Sequence, residues 1–84
     1  MEVQLKAKDM FEQLGYMFIP SGDVEIYRKE KDGCEHVIYF THNEKTVDCF
    51  EAESILSYVK PKTLTLKELK AINQQVKELH WDNE

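Results

Sequence analysis

The segment Leu64-Thr65-Leu66-Lys67-Glu68-Leu69 constrains this chain more than any other, because it marks a helix start in three independent ways. Thr65 stands where an N-cap hydroxyl can accept a bond from the first turn, and Glu68 is placed three residues on to return it. Leu64 and Leu69 occupy the two positions of a hydrophobic staple. Downstream, Leu66, Leu69, Ile72, Val76 and Leu79 fall on one stripe, with Lys67, Lys70, Gln74 and Lys77 pointing outward. Pro61 breaks the backbone ahead of this helix. Trp81 is expected to fold back as an anchor, with residues 82–84 fraying. An amphipathic helix of this kind needs an apolar surface to dock on.

The rest of the chain offers one. Val3, Ala7, Met10, Phe11 and Leu14 recur at helical spacing, which predicts a first helix starting near Glu2 or Val3. Leu5 lies off that stripe, and Asp9 with Glu12 offers a later capping box that would leave barely one turn. Gly15 stands at the C′ position and Tyr16 can close a Schellman contact. Pro20-Ser21-Gly22-Asp23 reads as a turn. Beyond it Val24 and Ile26 alternate with Glu25 and Tyr27, His36–Thr41 is rich in β-branched and aromatic residues, and Thr46–Glu51 forms a third run.

Parity then predicts a register. A loop centred on Asn43-Glu44 puts Ile38 opposite Cys49 and Phe40 opposite Val47. For the earlier hairpin, an odd-length Lys31-Asp32-Gly33 loop with a glycine bulge puts Ile26 opposite Ile38 and Val24 opposite Phe40. A two-residue Asp-Gly loop would flip the strand instead. The odd-length loop gathers Val24, Ile26, Ile38, Phe40, Val47 and Cys49 on one apolar face. Residues 52–60 fit no period, and either a short fourth edge strand or an irregular packed segment satisfies them. The expected fold is a single α+β domain over residues 1–84: an N-terminal helix, a three-stranded antiparallel meander with a possible short fourth strand, and a C-terminal helix. The helices lie across the apolar face in two layers. A chain of 84 residues has one core and little space for a deep pocket.

In that register the opposite face carries Glu25, Tyr27, Lys29, Val37, Tyr39, Thr41, Thr46, Asp48 and Phe50. Tyr27, Val37 and Phe50 form a row, with Tyr39 beside them. Such residues can simply stabilise a small sheet as cross-strand pairs. They can equally form a contact surface, since a contiguous apolar patch rimmed by charge marks a partner site. Tyr27, Val37, Tyr39 and Phe50 are therefore the candidate partner surface, for self-association or for another protein.

Charge narrows the alternatives. Residues 1–59 hold twelve acidic and six basic side chains, residues 60–84 four and five. Lys60, Lys62, Lys67 and Lys70 are the only basic cluster and read as a solvated helix entrance. Direct nucleic-acid binding is not expected, because phosphate contacts need a basic stripe and carboxylates flank the aromatic row. The acidic excess admits a different reading, a nucleic-acid-mimicking decoy for a DNA- or RNA-binding host protein. Apolar runs such as Tyr16–Ile19 are far too short to span a bilayer. Met-Glu-Val-Gln-Leu-Lys lacks the features of a secretion signal, so the two cysteines are expected as reduced thiols in a cytoplasm. Cys34, His36, His42, Cys49 and His80 are metal-ligand types, yet no CxxC or HxxxH spacing joins them. Cys34 and His36 are the one candidate nucleophile–base pair, with no third orienting residue in view. Gly15, Gly22 and Gly33 are isolated turn glycines, so no phosphate-cradling loop exists. The sequence predicts no catalytic residue, cofactor or metal.

Two segments carry a resemblance. Met10-Phe11-Glu12-Gln13-Leu14-Gly15-Tyr16 near the start and Leu64–Trp81 near the end resemble small uncharacterised proteins encoded by bacteriophages and prophages of Gram-positive bacteria. In those relatives a glycine commonly precedes the tryptophan, where this chain has His80. The resemblance implies a bacterial cytoplasm and a non-enzymatic accessory role, and it brings no site residues with it.

Overall fold

The computed structural model of the chain describes residues 5–53 and 58–81. Its elements run α1 (Ala7–Gln13), β1 (Met17–Ser21), β2 (Val24–Lys31), β3 (Cys34–Thr41), β4 (Thr46–Glu53), β5 (Tyr58–Pro61) and α2 (Leu66–Glu78). The strands form one antiparallel sheet in chain order. The α+β architecture is as expected, but the meander has five strands. Strand β1 was hidden in a continuous apolar run that ends in Pro20. A proline is tolerated there because β1 is an edge strand, and Pro61 sits on the opposite edge in β5. Ser21 pairs with Val24, so the first turn shrinks from the expected four residues to Gly22-Asp23.

The β2–β3 hairpin corrects the expected register. Lys31 pairs with Cys34, leaving Asp32-Gly33 as a two-residue loop. Asp32 and Gly33 have φ of 53° and 78°, the double left-handed geometry of a type I′ turn, whose twist matches that of the flanking strands. Tyr27, not Ile26, therefore faces Ile38, and Ile26 faces Tyr39. Every β2 side chain changes sides: Glu25, Tyr27 and Lys29 join Ile38 and Phe40, while Val24 and Ile26 turn to the opposite face. The β3–β4 register is the expected one, with Ile38 opposite Cys49 and Phe40 opposite Val47. Strand β5 extends the sheet by pairing Val59 with Ala52 and Pro61 with Phe50, which realises the edge-strand alternative. Residues 54–57 of that ambiguous stretch lie outside the described residues.

Helix α1 begins at Ala7. Lys6 ahead of it is extended, with ψ of 157°, and no side chain caps it locally. The start expected at Glu2 or Val3 lies outside the described residues, and the extended Lys6 separates it from α1. The Ala7 N–H instead donates to Glu78 Oε2 of α2 at 2.7 Å. The C-terminus is a Schellman motif: Tyr16 N–H reaches Phe11 O and Gly15 N–H reaches Glu12 O, both at 3.0 Å, with Gly15 at φ 93°. The Tyr16 ring packs edge-on against Phe11, 5.6 Å between centroids. Helix α2 carries the full capping box, Glu68 N–H to Thr65 Oγ1 at 3.1 Å and Thr65 N–H to Glu68 Oε1 at 2.9 Å.

Both helices lie on the Ile38/Phe40 side of the sheet. The core they enclose is Ala7, Phe11, Tyr16, Tyr27, Ile38, Phe40, Ala71 and Ile72, with Phe18, Val47, Cys49 and Trp81 packed around it. Phe11 stacks on Tyr27 at 3.9 Å. Trp81 folds back to Phe40 as expected, 6.2 Å between ring centroids. No described helix is long and apolar enough to cross a membrane.

Candidate functional site

Two features stand out, one on each side of the sheet. On the helix side, α2 buries Glu68, Ala71, Ile72 and Gln75 and leaves Leu66 and Leu69 exposed. Ile72, Val76 and Leu79 of the predicted stripe pack on the core as expected. Glu68, Ala71 and Gln75, however, take the places expected of Leu66 and Leu69, because the sheet and the loop after α1 present hydroxyls that need partners. Tyr27 Oη donates to Gln75 Oε1 at 2.6 Å, and Gln75 Nε2 donates to Glu25 at 3.3 Å. Tyr16 Oη donates to Glu68 Oε2.

Around Glu68 a chain of charges runs under the sheet. Lys62 Nζ lies 3.1 Å from Glu68 Oε2, its side chain 6% exposed, and 3.1 Å from His36 Nδ1. His36 is 3.6 Å from Glu51, and Lys29 is 4.0 Å from Glu68. Lys29 also lies over the Tyr16 ring at 4.7 Å and caps the end of α1 through Leu14 O at 3.2 Å. Burial alone would raise the Glu68 pKa. The bonds from Tyr16, Thr65 and Lys62 and the Lys62 charge outweigh it and hold the carboxyl at about 2. Burial, reinforced by Glu68, pushes the Tyr16 phenol up, so it remains a donor. Burial and the Lys62 ammonium lower the His36 pKa and favour the neutral ring. Every buried side-chain nitrogen and oxygen among the described residues has a partner. The cluster is therefore a satisfied ionic seat for α2 and the segment before it, and Lys62 belongs to it rather than to a solvated helix entrance.

The other face carries no described helix. Strand pairing sets its rows: Met17, Arg28, Val37, Phe50 and Pro61 cross all five strands. Beside them run Ile19, Ile26, Tyr39 and Asp48. Val24, Ala52 and Val59 extend the apolar area towards its ends. The Tyr39 and Phe50 rings meet edge-on at 5.7 Å. Val37 between them is 8% exposed, whereas Met17 and Val59 at the two edges are 67% and 62% exposed. Charge enters the face at two places: Asp48 on β4, and Arg28 on β2, which lies between Met17 and Val37 and pairs with Glu35 of β3.

Of the predicted partner surface, Val37, Tyr39 and Phe50 are brought together on this face. Tyr27 is not; it is 2% exposed in the core, since the type I′ turn reverses β2. Ile19, Ile26 and Met17 join the patch instead. The signal for Ile26 was the Asp32-Gly33 pair itself. Cys34 and Cys49 are both free thiols. Cys34 pairs with Glu53, four residues along β4 from Cys49, and His36 is engaged with Lys62 and Glu51 rather than with either thiol.

Together these features define a small two-layer α+β fold with one helix-covered sheet face and one apolar sheet face that no described helix covers. Comparison with protein-family models, with curated proteins and with solved structures gives no match for the chain.

Proposed function

We propose that this chain is a non-enzymatic protein-binding module whose contact surface is the open sheet face centred on Val37, Tyr39 and Phe50. The observation that carries the reading is the composition of that face. Met17, Ile19, Val24, Ile26, Val37, Tyr39, Phe50 and Val59 crowd onto one side of a sheet whose two described helices pack on the other. A solvated sheet face is ordinarily polar at alternate positions, and a contiguous apolar area of this extent marks a binding surface. The two terminal segments that resemble phage- and prophage-encoded proteins support an accessory role in a bacterial cytoplasm.

The test is a Tyr39→Ser/Phe50→Ser double variant, with Leu66→Ser on α2 as an exposed apolar control. Both proteins should fold, as judged by far-UV circular dichroism. The double variant should lose cross-linking and capture of protein partners, and the control should keep them. Undiminished capture by the double variant would refute the reading.

A further inference from the structure

Resting on the reading of the open face as a contact surface, we infer that its occupant is a second copy of this chain, packed face to face about a two-fold axis. Three observations carry this. The first is area. Five strands spaced about 4.8 Å apart, with central strands about 26 Å long, give a face of roughly 550 Å² and a dimer burying roughly 1,100 Å² in total, which clears the ~1,000 Å² that a stable interface needs.

The second is the placement of charge. Asp48 lies on β4 in the row of Tyr39, and Arg28 lies on β2 in the row of Val37. Their midpoint falls on β3 between Tyr39 and Val37. The line through that point, at right angles to the Arg28–Asp48 vector, runs diagonally from Val24 to Ala52 along the apolar band. A two-fold axis in the plane of the face along this line exchanges the two charged flanks. Arg28 of one copy then meets Asp48 of the other, twice, as an isologous interface requires. The same operation lays Ile26 over Tyr39 and Phe50 over Val37, so apolar meets apolar along the axis. An arginine and an aspartate together span the ~10 Å that separates packed sheets.

The third is what the face leaves unpaired. Arg28 already holds Glu35, and Glu30 is exposed at the same end of the sheet. The centre of the interface buries no lone charge, while Asp48 is left to be matched by the neighbouring copy's Arg28. The exposed Met17 and Val59 at the two edges extend the covered area.

The experiment is sedimentation velocity over a micromolar to submillimolar range on the wild type, Arg28→Asp, Asp48→Arg and the reversed pair Arg28→Asp/Asp48→Arg. Each protein is checked for folding by circular dichroism. The wild type should dimerise. Each single reversal should weaken association about tenfold or more, and the double reversal should restore it. A merely structural role for Arg28 would not give that rescue. A wild type that stays monomeric overturns the second copy. If the Tyr39→Ser/Phe50→Ser variant still loses capture of another protein, the contact-surface reading survives that failure; if it keeps capture, both fall. A dimer indifferent to both the reversals and the Tyr39→Ser/Phe50→Ser change uses another surface and also overturns the inference.

Discussion

Replacing Glu68 by glutamine tests the ionic seat beneath the sheet. The carboxyl is 3% exposed with Lys62 Nζ 3.1 Å away. Its pKa falls from an ordinary 4.5 to about 2 in the folded protein. That displacement corresponds to about 3 kcal/mol of stability at neutral pH. The folded-state value is the lower one, so the native state favours the ionised form. The contribution is complete above about pH 4.5 and is lost as pH falls towards 2. For a domain this small, whose total stability is of the order of 5–10 kcal/mol, this is a large share. Urea unfolding at a series of pH values, for wild type and Glu68→Gln, gives the difference between the two. It should be about 3 kcal/mol larger near pH 6 than near pH 2, shrinking steadily between pH 4.5 and 2. Other carboxylates titrate in both proteins and cancel. A difference that stays constant across that window would refute the claim that Glu68 is held ionised by Tyr16, Thr65 and Lys62.

Three further outcomes follow from the same geometry. His36 has a folded pKa below its ordinary 6.5, so it favours the neutral state, and the stability it contributes declines as pH falls from about 6.5 through the folded value. His36→Gln should remove that step in urea melts between pH 7.5 and 5, and parallel curves for the two proteins would contradict it. Gly33→Ala should cost about 1–2 kcal/mol purely through its left-handed backbone, since an added Cβ there meets nothing within 4 Å; amide and side-chain NOEs should place Tyr27 across from Ile38. His80 takes φ of 60° at the end of α2 and its N–H reaches Lys77 O at 3.0 Å. His80→Gly should therefore add about 1 kcal/mol, raising Tm by roughly 4–8 °C in calorimetry.

What the sequence disclosed is local. The capping box at Thr65 and Glu68, the Schellman stop at Gly15 and the β3–β4 register all appear as read, because each is settled by residues within a few positions of one another. The β2–β3 turn was equally local, but two loop lengths competed there. Counting apolar residues favoured Ile26 for the core, whereas backbone chirality at Asp32 and Gly33 favoured Tyr27. Tyrosine wins because its ring stacks on Phe11 and its hydroxyl finds Gln75. The buried face of α2 is legible at Ile72, Val76 and Leu79 but not at Glu68 and Gln75, for a related reason. Hydropathy ranks Leu66 and Leu69 above Glu68 and Gln75, but only the polar pair can satisfy two buried phenols. Strand β1 lacks any alternation, and Lys62 gives no sign of burial in the sequence because Glu68, its partner, is brought beside it only by the fold. The open face is half legible: Val37, Tyr39 and Phe50 follow from the β3–β4 parity, whereas the β2 contribution depends on the loop length and lies on the side opposite to the one that apolar counting favours.

The bond from Ala7 N–H to Glu78 ties the first turn of α1 to a residue 71 positions later. A seven-residue helix with no side-chain cap at its N-terminus is not stable alone in water. The order of its first turn is therefore coupled to the last turn of α2 rather than to its own neighbours in sequence. Loss of the Glu78 carboxylate would release the start of α1 first, while Phe11 keeps its packing on Tyr16, Tyr27 and Phe40.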